Sequence, residues 1–175
     1  MKTLIIYSTK YGCTEKCAKT LSEKLTGEAL LVNTKKDSIP NLAEYNKIII
    51  GGSIYVGKIQ KEIKEFCERN LDVLKNKTIA LFVCCGIPEK LDLQFSFPKE
   101  LIETAVIKEV FGGELNKEKM KLIDRILTNF IEKATAKEGK MDVAILPENI
   151  NKLAELMNSL KIIYCIVLHS GFRIA

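Results

Sequence analysis

Several features are missing from this sequence, and each absence removes a class of protein from consideration. No Gly-x-x-x-x-Gly-Lys-Ser/Thr segment indicates a phosphate-loop ATPase, and no Gly-x-Gly-x-x-Gly follows the first apolar run, as dinucleotide-binding enzymes require. The single histidine, His169, has no evident partners for a metal site, so we interpret it as a surface or tail residue. A nucleotide or small-molecule site must therefore be built from other motifs.

The chain also lacks a secretion signal, a basic block and a long apolar run. The first residues have no long apolar stretch and no small-residue cleavage site, so we expect a cytoplasmic protein. The net charge of +5 is mild and the basic residues are interspersed with acidic ones, which does not favour nucleic-acid binding. The apolar run at 162–168 is far shorter than the roughly 20 residues of a transmembrane helix. The six cysteines are expected to be mostly free thiols.

What the chain does contain is a regular alternation of strand-like and helix-like segments. Its 175 residues, 47% of them hydrophobic, are enough for one sizeable core, and we predict a single domain over 1–175. Because each helix must cross back over the sheet to reach the next strand, the alternation predicts parallel strands. The predicted strands are 4–7, 29–32, 47–50 running into 51–53, 78–84 and 106–111. The predicted helices include one with an apolar stripe of Ile59, Ile63, Phe66 and Cys67, and the segments 118–135 and 147–160. This is an α/β doubly wound five-stranded sheet, with its ligand beyond the carboxyl ends of the strands.

The most informative stretch is the turn after the first strand. Ser8, Thr9 and Thr14 offer hydroxyl donors, and Gly12 lets backbone amides approach an anion closely. A helix that begins near Thr14 would direct its unpaired N–H groups and positive dipole end at the same place. The turn therefore predicts a phosphate site, although serine and threonine are also common as ordinary helix caps.

These residues resemble the flavodoxin-like flavoproteins. Ser8 to Thr14 resembles their FMN phosphate loop, and Gly51 to Lys58 resembles the loop that lies along the isoalloxazine ring. Within the family, the chain is most similar to flavodoxin-type, menaquinone-dependent protoporphyrinogen oxidases over about residues 1–157. The stretches that carry this likeness are Ser8-Thr9-Lys10-Tyr11-Gly12 with Thr14, Gly52-Ser53-Ile54 with Gly57, Pro88-Glu89-Lys90, Gly113-Glu114-Leu115 and Asp124-Arg125.

The resemblance implies a strand order of 2-1-3-4-5 with helices on both faces, and FMN as the cofactor. It places the phosphate at Ser8, Thr9, Lys10, Tyr11, Gly12, Cys13 and Thr14, and the ring along Ser53, Ile54, Tyr55, Val56, Gly57, Lys58 and a third loop containing Cys85 and Gly86. Tyr55 could stack on the ring or be an exposed loop aromatic. A cation at Lys58 would stabilise anionic reduced flavin. No side chain is an obvious catalytic acid or base.

The implied function is an FMN-dependent oxidoreductase that takes electrons from a reduced donor, with a porphyrinogen donor and a quinone acceptor as its most specific form. One alternative is a one-electron carrier that serves a partner reductase. Another is a flavin-free module that acts as an interaction domain. The oligomeric state is not predicted.

The cysteines and the tail each leave alternatives open. Cys13 could be an oxidation-sensitive thiol at a helix N-terminus or a simple loop residue. The adjacent Cys84 and Cys85 suit neither a zinc knuckle nor a Cys-x-x-Cys pair, and we expect one to point inward and the other to line the third loop. The apolar tail, 161–175, is atypical: a packed strand or an oligomer contact is favoured over a membrane-surface element.

Overall fold

A largely parallel β-sheet forms the centre of the molecule. The computed structural model describes residues 2–55, 57–86, 96–114, 118, 120–122, 124–126 and 144–170, with the backbone alone for 161–170. The strands are β1 Thr3–Ser8, β2 Ala29–Asn33, β3 Lys47–Tyr55, β4 Lys58–Ile59, β5 Thr78–Cys84 and β6 Ile107–Val110. Their order is β2-β1-β3-β5-β6, and β4 pairs with the end of β3. With β4 set aside, this is the predicted order, and the predicted fold class is confirmed.

Helices cover both faces of the sheet, as predicted. They are α1 Cys13–Lys24, α2 Lys61–Arg69, α3 Leu71–Leu74, α4 Lys99–Thr104 and α5 Pro147–Ser170. Leu4 and Ile6 of β1 belong to the core beneath α2, α3 and α4, whereas Ile5 and Tyr7 belong to the core beneath α1 and α5. Successive side chains of a strand point to opposite faces, so an unbroken apolar run such as β1 supplies both cores.

The third strand is longer than its sequence predicts. It continues to Tyr55 and turns back through β4, with Ile54 opposite Ile59 and Tyr55 opposite Lys58. The turn between them contains Gly57 at φ +72°, a conformation that a hairpin of this length requires. Ile59 therefore belongs to a strand and not to the apolar stripe of α2, which was its predicted position. The second candidate loop is a β-hairpin.

The tail prediction was wrong in one respect. Residues 161–170 continue α5 as helix, so the added strand is excluded. No glycine or proline interrupts the chain between Pro147 and Gly171, and nothing local ends the helix earlier. Among the described residues, no helix is both long and apolar enough to cross a membrane. Most of the predicted helix 118–135, the 88–90 motif and residues 171–175 lie outside the described residues.

Candidate functional site

The carboxyl ends of three neighbouring strands bring the predicted loops together. In the sheet register, Ser8 at the end of β1 lies beside Gly52 of β3, and Ser53 lies beside Cys84 at the end of β5. The turn after β1, the hairpin at the end of β3 and the segment after β5 therefore leave the sheet at one edge. This is the edge at which a doubly wound sheet binds its ligand.

The turn after β1 delivers the chain directly into α1. Gly12 is the N-cap residue with φ +97°, a backbone conformation that disfavours residues with a side chain. Its N–H donates to the Thr9 hydroxyl at 3.0 Å, and its carbonyl accepts the first helical hydrogen bond, from the Lys16 N–H at 3.0 Å. A Cβ atom built on Gly12 would lie within 4 Å of no described atom outside Gly12 and its two chain neighbours, so the space beside Gly12 is open among the described residues.

Two hydroxyl groups beside this turn are buried without a partner. The side chains of Ser8 and Thr14 are fully buried, and within the described part of the chain neither Ser8 Oγ nor Thr14 Oγ1 has a hydrogen-bond partner. A buried hydroxyl without a partner costs about 1–3 kcal/mol. Two such groups at one helix N-terminus indicate a place where a ligand supplies the missing acceptor.

The hairpin at the end of β3 is braced from α2. The side-chain amide of Gln60 accepts from the Ser53 N–H at 2.7 Å and donates to the Ser53 hydroxyl. Ile54 is partly buried and packs against the core beneath α2. Lys58 is exposed and lies directly opposite Tyr55, and opposite residues of a hairpin point to the same face. Val56, the remaining predicted residue of this segment, lies outside the described residues.

Asp124 connects the turn and the hairpin. Its carboxylate accepts hydrogen bonds from the hydroxyls of Tyr11 and Tyr55 and forms an ion pair with Lys10 at 2.8 Å. The Lys10 ammonium also lies 3.5 Å from the centre of the Tyr55 ring. Tyr55 is therefore half-buried on a strand and is not an exposed loop aromatic. In the sequence, Asp124 stands out only as part of a family motif, without a role.

These contacts shift the pKa values of the groups involved. The Lys10 ammonium and the two tyrosine hydroxyls hold the pKa of the Asp124 carboxyl well below its ordinary value. Burial, with the neighbouring Asp124 carboxylate, raises the pKa of Tyr55 to about 12 and also raises that of Tyr11. At neutral pH Asp124 is therefore a carboxylate, and Tyr11 and Tyr55 are neutral phenols.

The segment after β5 is fixed to the strand edge beside it. The Cys85 N–H donates to the Gly112 carbonyl at 2.7 Å, and a Cβ atom on Gly113 would lie only 3.0 Å from backbone atoms of Cys85 and Gly86. Cys84 is 3% exposed and Cys85 is half-buried, which matches the expected division between an inward and an outward cysteine. Cys85 and Gly86 therefore have defined positions at the same edge as the other two segments.

Comparisons with known proteins agree with this architecture. The flavodoxin domain model matches residues 4–142. Protoporphyrinogen IX dehydrogenase (quinone) of Escherichia coli K12 is 26% identical over 149 residues, which cover 79% of this chain and 82% of that protein. An uncharacterized protein of Methanocaldococcus jannaschii is 35% identical over 102 residues, covering 58% of this chain and 63% of that protein, just under two thirds of its length.

A solved structure shares the fold. The structure of a flavodoxin from the domain Archaea superposes with a TM-score of 0.50 at 16% sequence identity, covering 77% of this chain and 99% of that chain. Identity at this level supports the fold alone. The family match covers most of the chain. The chain belongs to the flavodoxin domain family.

Proposed function

We propose that this protein binds FMN at the carboxyl edge of its sheet and functions as an FMN-dependent oxidoreductase. The observation that carries the proposal is the pair of buried, unpartnered hydroxyls of Ser8 and Thr14 at the N-terminus of α1. When bound, FMN supplies the redox chemistry, and the protein supplies binding, orientation and electrostatics.

The phosphate fits the turn after β1 for three reasons. The first amides of α1 have no helical partner and, with the helix dipole, favour an anion in front of Gly12. The hydroxyls of Ser8 and Thr14 would donate to phosphate oxygens and lose their unsatisfied state. The open space at Gly12 leaves room for the group. In this proposal Thr9, Lys10, Tyr11 and Cys13 complete the turn.

The hairpin and the third segment would hold the ring. Tyr55 offers an aromatic face, but the Lys10 ammonium lies 3.5 Å from the centre of that ring and covers one side of it. A flavin that stacks on Tyr55 must therefore use the other face or displace Lys10. Lys58 is on the same face of the hairpin as Tyr55 and would supply a positive charge near the bound ring.

Binding of FMN and of riboflavin to the flavin-free protein tests this proposal. The variants Thr14→Val and Ser8→Ala remove one hydroxyl each with little change of shape. We expect each to weaken FMN binding by about tenfold or more, corresponding to a hydrogen bond to a charged acceptor, while riboflavin binding changes little. Thr20→Val is the matched control, because Thr20 lies on α1 near its other end and is half-buried. Equal losses for FMN and riboflavin would contradict the placement of the phosphate.

The finer proposal is that the enzyme oxidises a porphyrinogen and reduces a quinone. Its support is the similarity to the Escherichia coli protein of that name, which extends over most of both chains. The test is anaerobic turnover of protoporphyrinogen IX by the FMN-loaded protein with a menaquinone analogue, with the flavin-free protein as the comparison. FMN binding without porphyrinogen turnover, together with rapid electron exchange with a partner reductase, would favour the electron-carrier alternative.

A further inference from the structure

Three cysteines meet at the N-terminal end of α1. The Sγ atoms of Cys13, Cys17 and Cys84 all lie within 4.8 Å of one another. Cys13 and Cys17 are one turn apart on α1 and therefore share a face, and Cys84 is the last residue of β5. Cys17 and Cys84 are 1% and 3% exposed, whereas Cys13 is half-buried. The cluster thus lies between helix and sheet, with one sulfur near the surface.

The cluster lies at the N-terminal end of α1, where the positive end of the helix dipole favours negative charge on sulfur.

We propose that Cys13, Cys17 and Cys84 form a binding site for a thiophilic d10 metal ion, in three-coordinate geometry that favours Cu(I). Thiolate ligands select Cu(I), zinc and iron–sulfur clusters over harder ions. Structural zinc is almost always held by four ligands, and within the described residues this cluster offers three sulfurs without a fourth cysteine, histidine or carboxylate in reach.

The dimensions of the cluster suit this assignment. A metal–sulfur distance of about 2.3 Å places the sulfurs of a planar three-coordinate site about 4 Å apart. The sulfurs need to approach one another by less than about 1 Å from their maximum separation of 4.8 Å. Cys13, the most exposed of the three, gives the ion a route of entry.

Two competing roles for these cysteines predict different behaviour. Buried cysteines often act as small apolar side chains, and a cluster with that role would bind no metal at stoichiometric concentrations. Alternatively, Cys13 and Cys17 could form a disulfide, which involves only two of the three sulfurs. Neither role requires that all three cysteines contribute to the affinity for one ion.

The experiment is a Cu(I) titration of the full-length, flavin-free and reduced protein under anaerobic conditions, in competition with a chromogenic Cu(I) chelator. We expect one ion per chain and three sulfur ligands by X-ray absorption. Cys13→Ala, Cys17→Ala and Cys84→Ala should each weaken binding by about 100-fold or more, beyond the effect of losing an outer contact. Cys67→Ala is the matched control, because Cys67 is fully buried on α2 in the core on the opposite face of the sheet, and it should retain the affinity.

Each other outcome overturns the proposal. Zn(II) bound more tightly than Cu(I) would refute the three-coordinate assignment. Cu(I) binding lost equally in Cys67→Ala, or retained in Cys13→Ala, would refute the site. A stoichiometric Cys13–Cys17 disulfide with no metal binding would also refute it. Where a variant at Cys17 or Cys84 does not fold, Cys13→Ala decides, since its half-buried side chain is the least important for packing. Because no flavin is present, the result is independent of FMN binding.

Discussion

Removal of the negative charge at Asp124 should separate the turn after β1 from the hairpin. The variant Asp124→Asn keeps the size of the side chain but replaces the carboxylate by a neutral amide. The carboxylate accepts hydrogen bonds from two tyrosine hydroxyls and forms an ion pair with Lys10. A hydrogen bond to a charged group contributes about 1.5–3 kcal/mol, and the amide retains one acceptor oxygen. We therefore expect the free energy of unfolding to fall by about 2 kcal/mol at pH 7.

The pH dependence provides a second check with a defined sign. The pKa of Asp124 is lower in the folded protein than its ordinary value of about 3.9. Its contribution is therefore fully present above about pH 4 and is lost as the pH falls toward the folded-state pKa. The difference in unfolding free energy between the wild type and Asp124→Asn should be constant from pH 7 to about pH 5 and should shrink below about pH 4.

Urea unfolding measures the free energy of unfolding at pH 7 and its dependence on pH. It is followed by circular dichroism because the chain has no tryptophan for fluorescence. Asp72→Asn is the matched control: its side chain is 97% exposed and pairs with Lys75 on the surface at 3.0 Å. Such exposed ion pairs contribute little to the free energy of unfolding. If Asp124→Asn were no less stable than Asp72→Asn, or if its deficit were unchanged at the lowest pH at which both proteins fold, the bridging role of Asp124 would be refuted.

Three further predictions concern neighbouring parts of the site. A Cβ atom on Gly51 would lie 2.1 Å from the Phe82 ring, so Gly51→Ala should lower the free energy of unfolding in urea by about 1–3 kcal/mol. Adding Phe82→Leu should recover most of this loss. Wild-type stability of Gly51→Ala would contradict the prediction. Asp124→Asn should lower the pKa of Tyr55 from about 12 toward 10. The titration of Tyr55 is obtained as the difference between the ultraviolet titration curves of proteins with and without the additional Tyr55→Phe substitution. An unchanged pKa would mean that burial alone raises the pKa of Tyr55. Lys58→Glu should make the midpoint potential of bound FMN more negative in a redox titration, and an unaltered potential would remove Lys58 from the ring site.

Local signals in the sequence were sufficient to predict the fold and the turn after β1. β5 has the bounds that its apolar run predicts, and the hydroxyl-rich turn begins a helix as expected. The hairpin was missed because two cross-strand pairs, Ile54 with Ile59 and Tyr55 with Lys58, depend on a turn that apolar periodicity does not reveal. Ile59 has helical spacing to Ile63, and it was therefore assigned to the wrong element.

Contacts between distant segments could not be read from the sequence. Asp124 meets Tyr11 and Tyr55 through the tertiary fold, and no local pattern marks a carboxylate as their shared acceptor. The spacing of Cys13 and Cys17 is visible as one helical turn, but Cys84 joins them only because β5 ends beside β3 at the edge where α1 begins. The inward position of one of the adjacent cysteines, 84 and 85, was predicted from the sequence, but its two partners on α1 were not.

The N-terminus of α1 serves both proposed sites, which constrains how they can coexist. Thr14 and Cys13 are neighbours in the chain, so their side chains leave the helix about 100° apart and need not compete for space. They do share one electrostatic field, because the helix dipole and free amides favour negative charge whether it is carried by phosphate or by thiolate. Three thiolates around one Cu(I) ion leave a net negative charge, so the metal centre and a phosphate in front of Gly12 would repel each other. Each ligand is therefore expected to weaken the binding of the other.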